Sequence, residues 1–286
     1  MRPVVALLSL LLICLIAPSA ASAKVLVGVG DQQPKSYKDK KLRALKLDTA
    51  RYVIAWDWYK EPWMIHEADQ WIANVRAAKL RPLLVFNRNW RRSGKYKVPT
   101  LKSYVKSFKL LRERYPDVTE FSAWNEPNVP AQPFARKPAL AAKYHNALRA
   151  ECPRCTIVGA DINDNPNMAS WLSVYKRHVR KPKVWGLHNY RDAHRSIGST
   201  RLFLRMVRGP LWLTETGGIR LRGGEAAQVQ ATRNLFAITR ANKRIRRLYF
   251  YQWRHHRTNR WDSAFFSASG KPRASYRTLR AELRRR

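Results

Sequence analysis

Eight short apolar runs are spread along the chain, and a stretch of helical character follows each one. The runs cover residues 25–29, 52–56, 82–86, 118–124, 156–160, 184–187, 210–213 and 248–252. The helix-like stretches cover 35–47, 66–79, 100–115, 138–151, 168–179, 196–207, 225–240 and 272–284. In the fourth, Leu140, Tyr144, Ala147 and Leu148 recur at three- and four-residue spacing with charge between them, the signature of one buried helix face. Strands that are apolar on both faces belong to parallel sheets covered by helices. Eight such units close most naturally into a (β/α)8 TIM barrel, a fold of about 250 residues. The competing arrangement is an open doubly wound sheet, which needs a glycine-rich phosphate turn after an early strand. Gly28-Val29-Gly30 begins such a turn, but Gln33 stands where the third glycine belongs.

Ahead of the first run lies Arg2, an apolar segment at 4–17 and then Ala21-Ser22-Ala23. That pattern reads as a cleaved secretory signal over residues 1–23, because the segment falls short of the roughly 18 apolar residues of a membrane-spanning helix. Residues 24–286 then form a single domain, secreted to the cell envelope or beyond it, with no membrane association after cleavage. In an oxidising compartment Cys152 and Cys155, in CPRC, pair as a small local disulfide. A helical pattern precedes them and a strand follows, the reverse of a thioredoxin-type site, and no second CxxC completes a zinc site.

The formal charge is +37. Such a field attracts anions of any kind, whether nucleic acid, anionic glycan or a charged envelope. It constrains partners without naming one, and no nucleic-acid reading motif accompanies it. Basic residues at 88–97, together with Arg191, Arg195, Arg254 and Arg257, fall on one end of the expected barrel. The run 240–247 and the tail 284–286 fall on the other.

In a barrel of this type the chemistry sits where the strands end at their C-termini. Strand four ends in Asn125-Glu126, strand six in His188-Asn189-Tyr190, strand seven in Thr214-Glu215-Thr216-Gly217 and strand eight in Gln252-Trp253. Only 19 residues are acidic, yet two glutamates occupy matching strand ends. Two carboxylates across a cleft are the minimum equipment for glycoside hydrolysis, one protonating the leaving oxygen and one attacking the anomeric carbon. Mutual repulsion would raise one of them and keep it protonated near neutral pH. Pro127 is expected to hold Glu126 in an extended backbone. Gly217-Gly218 would let the chain turn sharply after Glu215.

These strand ends, in this order, resemble the retaining glycoside hydrolases of clan A, such as the β-xylosidase-like and cellulase-like groups. WNEPN, at 124–128, resembles the acid/base motif, which implies Glu126 as acid and then base and Asn125 as partner of the sugar 2-hydroxyl. LTETG, at 213–217, resembles the nucleophile motif and implies Glu215 as the residue that forms the glycosyl-enzyme. His188 and Tyr190, two apart and hence on one strand face, resemble the pair that orients and hydrogen-bonds the nucleophile. Trp253, in YFYQW, resembles the aromatic floor under the bound sugar, and Arg51 a buttress for the carboxylates. Trp56, Trp58, Trp63, Trp90 and Trp261 lie in or near the mouth loops, individually suited to packing and collectively to a glycan cleft.

Other motifs fail. DINDNP, from Asp161 to Pro166, begins like a calcium loop but has Pro166 where glycine is required and Leu172 where the bidentate glutamate belongs. His66-Glu67 is followed by Gln70 where a zincin needs histidine, and no nucleophile elbow or Walker loop is present. The expectation is therefore a carbohydrate-active enzyme without metal or cofactor, its substrate neutral or anionic. Its rivals are a barrel that binds a glycan or cell-wall polymer without cutting it, and a nucleic-acid-binding protein suggested by charge alone. The sugar, the linkage and the oligomeric state are not encoded in any motif.

Overall fold

The structure is a computed structural model that describes residues 24–89, 97–195, 197–256 and 261–286. The signal-like segment 1–23, Trp90 and Arg257 lie outside the described residues, as do most of the basic residues between 88 and 97. Eight strands form a closed, all-parallel barrel in sequence order. They are β1 (Leu26–Gly30), β2 (Thr49–Ala55), β3 (Arg81–Asn87), β4 (Glu120–Ser122), β5 (Thr156–Asn163), β6 (Val184–His188), β7 (Leu211–Thr216) and β8 (Ile245–Phe250).

Among the described residues nine α-helices accompany them. They are α1 (Lys40–Ala44), α2 (Pro62–Ala77), α3 (Leu101–Arg114), α4 (Pro138–Glu151), α5 (Met168–His178), α6 (Tyr190–Arg195), α7 (Ser199–Met206), α8 (Gly224–Arg240) and α9 (Ala274–Arg284). The chain is therefore a (β/α)8 TIM barrel. No helix of the described residues is long and apolar enough to cross a membrane.

Local chemistry accounts for the helix starts. Proline opens α2 and α4, where its missing N–H costs nothing. Thr100 Oγ1 accepts from the Ser103 N–H at the head of α3. The buried face of α4 is Ala141, Tyr144, His145 and Leu148, with Leu140 and Ala147 half-buried beside it.

The strands divide their side chains between two cores. Outward residues such as Ile54, Phe86 and Phe121 join the large layer between barrel and helices. Leu83, Val85, Val158, Val184, Trp212 and Tyr249 fill the barrel interior. Below them Arg247 and Glu120 form a buried ion pair, with the Tyr249 hydroxyl 3.0 Å from the guanidinium. That guanidinium lies 3.7 Å from the centroid of Trp212.

Three features differ from the sequence expectation. β2 begins at Thr49 instead of residue 52, so Arg51 lies inside the strand; a polar threonine and a buried arginine interrupted the apolar signal. β6 stops at His188, and Tyr190 opens α6 instead of sharing a strand face with it. Glu126 has φ +45°, in the left-handed region and not extended. Pro127 disfavours only the right-handed helical region strongly. The choice among the rest falls to one tertiary and one local turn bond: Glu126 N–H donates to Asp161 O at 3.0 Å, and Glu126 O accepts from Val129 N–H at 3.1 Å. The Cys152 and Cys155 sulfurs are bonded to each other at the turn between α4 and β5.

Candidate active site

A cleft of about 600 Å3 opens at the C-terminal end of the barrel, within the range of small-ligand sites. Asn125, Glu126, Asn163, Tyr190, Glu215, Tyr251 and Trp261 are among its lining residues. Beneath it a polar cluster is assembled from five strands.

Arg51 of β2 is the hub, with 1% exposure. Its Nη1 donates to Glu215 Oε2 at 2.6 Å and its Nη2 to Asn125 Oδ1 at 2.5 Å. Asp161 Oδ2 lies 3.6 Å from Nη2. His188, fully buried at the end of β6, places Nδ1 3.0 Å from Glu126 Oε1 and Nε2 3.2 Å from Asp161 Oδ1. Asn163 Nδ2 donates to the same Glu126 oxygen at 2.8 Å. Tyr190 donates its hydroxyl hydrogen to Glu215 Oε1 at 2.9 Å.

Glycine makes two of these approaches possible. A Cβ on Gly186 would sit 2.9 Å from Asp161 Oδ1 and 2.7 Å from Val158 Cγ1. After Glu215, Gly217 has φ +156° and leaves no room for a side chain, since a Cβ would lie 2.8 Å from Tyr251 O.

The charges arrange themselves differently from the sequence expectation. Burial pushes the Glu126 carboxyl up, but the His188 hydrogen bond and charge, the Asn163 amide and the Arg51 guanidinium together hold it below its ordinary value. Repulsion between the two glutamates therefore does not leave a proton on Glu126 at neutral pH. The proton resides on His188 instead. Burial works against the imidazolium, yet Glu215, Asp161 and Glu126 raise it to about 9. With a carboxylate facing each ring nitrogen, the doubly protonated ring satisfies both. Asp161 is held low despite burial, by Arg51, His188 and the Thr214 hydroxyl.

Of the residues singled out by sequence, Arg51, Asn125, Glu126, His188, Tyr190 and Glu215 come together. His188, however, faces Glu126 and stands 3.9 Å from Glu215, so Tyr190 and Arg51 are the partners of Glu215. Trp253 is misplaced as a sugar floor. It is fully buried, its backbone N–H donates to Asp31 Oδ2 at 2.8 Å and its indole N–H to Asp39 Oδ2 at 3.0 Å. Its ring packs 4.6 Å from that of Phe266 and is not part of the cleft lining. Tyr251 and Trp261 supply the aromatic wall, and the Trp261 ring meets Tyr190 edge-on at 5.0 Å. Trp58 is buried and Trp63 projects from α2 with 53% exposure. Among the basic residues expected at this end, Arg191 lines the cleft, Arg222 joins it unforeseen, and Arg254 lies 3.7 Å from Asp39.

The sequence reading met Asp161 and Asn163 only as the opening of a failed calcium loop and did not place them in the site. The signal was available, because Asp161-Ile162-Asn163 directly follows the fifth apolar run and strand-end polar residues were the criterion elsewhere. Glu126, His188 and Glu215 also present donor atoms within 4.8 Å of one another. They suit a cation poorly, because the Arg51 guanidinium, bonded to Glu215, already sets a buried positive charge beside them.

No protein-family model matches the chain, and no curated protein matches it. Solved structures do. A family 39 glycoside hydrolase from the gut symbiont Bacteroides cellulosilyticus WH2 superposes with a TM-score of 0.66 at 14% identity over 92% of this chain. GH5_18 from Streptomyces cattleya, in complex with GlcNAc, gives 0.71 at 13% identity over 92% of this chain and 80% of its own. A GH113 β-1,4-mannanase gives 0.58 at 13% identity over 92% of this chain and 99% of its own. The chain spans 64% of the length of the family 39 enzyme. What these structures share with this chain is the fold, an eight-stranded parallel barrel.

Proposed function

We propose that this protein is a retaining glycoside hydrolase acting on the O-glycosidic bonds of an oligo- or polysaccharide. The observation that carries the reading is the spacing of the two carboxylates: an oxygen of Glu126 and an oxygen of Glu215 lie within 4.8 Å. Retaining enzymes hold their carboxyl groups about 5–5.5 Å apart, whereas inverting enzymes leave about 6.5–9.5 Å for a water. Glycoside hydrolases among its structural neighbours, one with GlcNAc bound, support a carbohydrate ligand.

Glu215, with one oxygen on Arg51 and the other on Tyr190, attacks the anomeric carbon. Glu126 protonates the leaving oxygen as the C–O bond breaks. A sugar entering the cleft displaces water from Glu126 and favours its neutral form, and the proton is at hand on His188 Nδ1, 3.0 Å away. In the second step Glu126 takes a proton from water, the hydroxyl adds to the anomeric carbon, and Glu215 is released. Asn125, held by Arg51 on the cleft lining, is placed to contact the sugar. The segment 1–23 directs the chain out of the cytoplasm, and no cofactor takes part.

Two arginines, Arg191 and Arg222, line the cleft. Among the described residues neither forms an ion pair within 4.0 Å, which favours an anionic sugar in part of the cleft.

The decisive experiment is a screen of the purified protein on neutral and uronic-acid-containing glycans, with the anomer of the first product read by NMR. Retention is expected. Glu215→Ala is expected to abolish the glycosyl-enzyme, and Glu126→Ala to slow substrates with poor leaving groups by about 100-fold or more. An inverted first product, or full activity in either variant, overturns the mechanism. Binding without turnover in the native protein would make the barrel a glycan-binding module instead.

A further inference from the structure

Asp161 occupies a place that regular strand geometry would not provide. Val158 faces the barrel interior, so strict alternation would turn Asp161 outward to the helix layer. Between Ala160 and Ile162 the pairing with β6 slips, and Ala160 and Asp161 have φ +68° and +57°. Left-handed backbone at two successive non-glycine residues is unfavourable, and bulges of this kind re-aim a side chain. Here the bulge turns the carboxylate inward, fully buried, against His188 Nε2, Arg51 and the Thr214 hydroxyl. The same residue's carbonyl accepts the Glu126 N–H at 3.0 Å. One bulged residue thus holds both the backbone of the acid and the far edge of the ring that faces it.

We propose that Asp161 is a positioning residue for the acid: it clamps the Nε2 edge of His188 so that Nδ1–H faces Glu126, and the proton delivered to the leaving oxygen is held between the two. This rests on the hydrolase reading above. The proton passes from Nδ1 to Glu126 Oε1 and on to the glycosidic oxygen as its bond to the anomeric carbon breaks. Water returns one to the pair when its hydroxyl displaces Glu215.

Four charged groups face His188: Glu126 at the end of β4, Asp161 of β5, Glu215 of β7 and Arg51 of β2. Three are anionic, and removing one weakens proton binding by the attraction that one supplied. The sign is therefore settled. Asp161→Asn makes the His188–Glu126 pair release its proton at lower pH, and the alkaline limb of kcat/KM moves to lower pH with it.

The test is an NMR titration of the His188 ring in the free native protein, in Asp161→Asn and in Thr214→Val, with pH profiles on an aryl glycoside. Native His188 is expected to titrate near pH 9. In Asp161→Asn both the ring titration and the alkaline limb are expected to fall by about one pH unit or more. Thr214→Val removes a hydrogen bond but no charge, and both are expected to stay close to native. An unmoved ring and limb in Asp161→Asn overturn the proposal, and so does a Thr214→Val shift as large as that of Asp161→Asn. Native His188 titrating below about pH 7 overturns it without any variant. Because the ring titration needs no substrate, the two readings fail separately. A shifted ring in a protein inactive on every glycoside sinks the hydrolase assignment, and an unshifted ring in an active enzyme sinks the clamp.

Discussion

Both oxygens of Glu215 are engaged, Oε1 by the Tyr190 hydroxyl at 2.9 Å and Oε2 by Arg51 at 2.6 Å. In the proposed mechanism a carboxylate held at both ends attacks from one orientation. Tyr190→Phe removes a hydrogen bond to a charged group, worth about 1.5–3 kcal/mol. It is expected to lower kcat by roughly ten- to a hundredfold and KM by less than about threefold. Steady-state kinetics on an aryl glycoside decide it, and an unchanged kcat would remove Tyr190 from the machinery. At this scale the two glutamates were legible because each is a polar residue ending an apolar run. Trp253 was misjudged for a related reason. An aromatic residue after a strand reads alike whether its ring meets solvent or, as here, Asp39 and Phe266.

Between elements, the floor of the barrel depends on β4 and β8. Arg247 and Glu120 are 5% and 7% exposed and form a bidentate pair. Removing one member of a buried pair strands the other charge, at a cost of about 3–5 kcal/mol, while replacing both with apolar groups costs far less. Arg247→Met is therefore expected to destabilise the fold by about that amount. Glu120→Leu combined with Arg247→Met should recover most of the loss, with Arg81, 3.7 Å from Glu120, and the Tyr249 hydroxyl and Trp212 ring beside Arg247 among the neighbours affected. Urea denaturation measures both, and equal losses in the single and double variants would contradict the argument. The elements themselves were legible in their centres and not at their ends. The apolar runs located all eight strands, but missed the first three residues of β2 and of β8 and the last three of β5 and of β7, where polar and charged residues are built into the strands. The short α6 carries no long periodic pattern and went unseen.

Over the whole molecule the excess charge of +37 extends well beyond Arg191 and Arg222 at the cleft. Arg240 and Arg244 lie below β8, where Arg240 binds Glu282 and Arg244 binds main-chain carbonyls. Association with DNA or heparin is expected to be electrostatic, falling by about 10³-fold or more between 50 and 200 mM salt. Turnover of a neutral glycoside should change little over that range. Polyanion binding that survived at half-molar salt would point instead to a built recognition site. The barrel and the rim position of its two glutamates were determined by the sequence alone, because strand and helix periodicity are local and the parallel order of eight units leaves one closed arrangement. Only the tertiary structure decided which carboxylate meets His188, that Asp161 turns inward at a bulge, and that Tyr251 and Trp261 line the cleft instead of Trp253. Those outcomes depend on contacts between strands far apart in the chain, where one residue of register reverses the face a side chain presents. No local pattern records that slip.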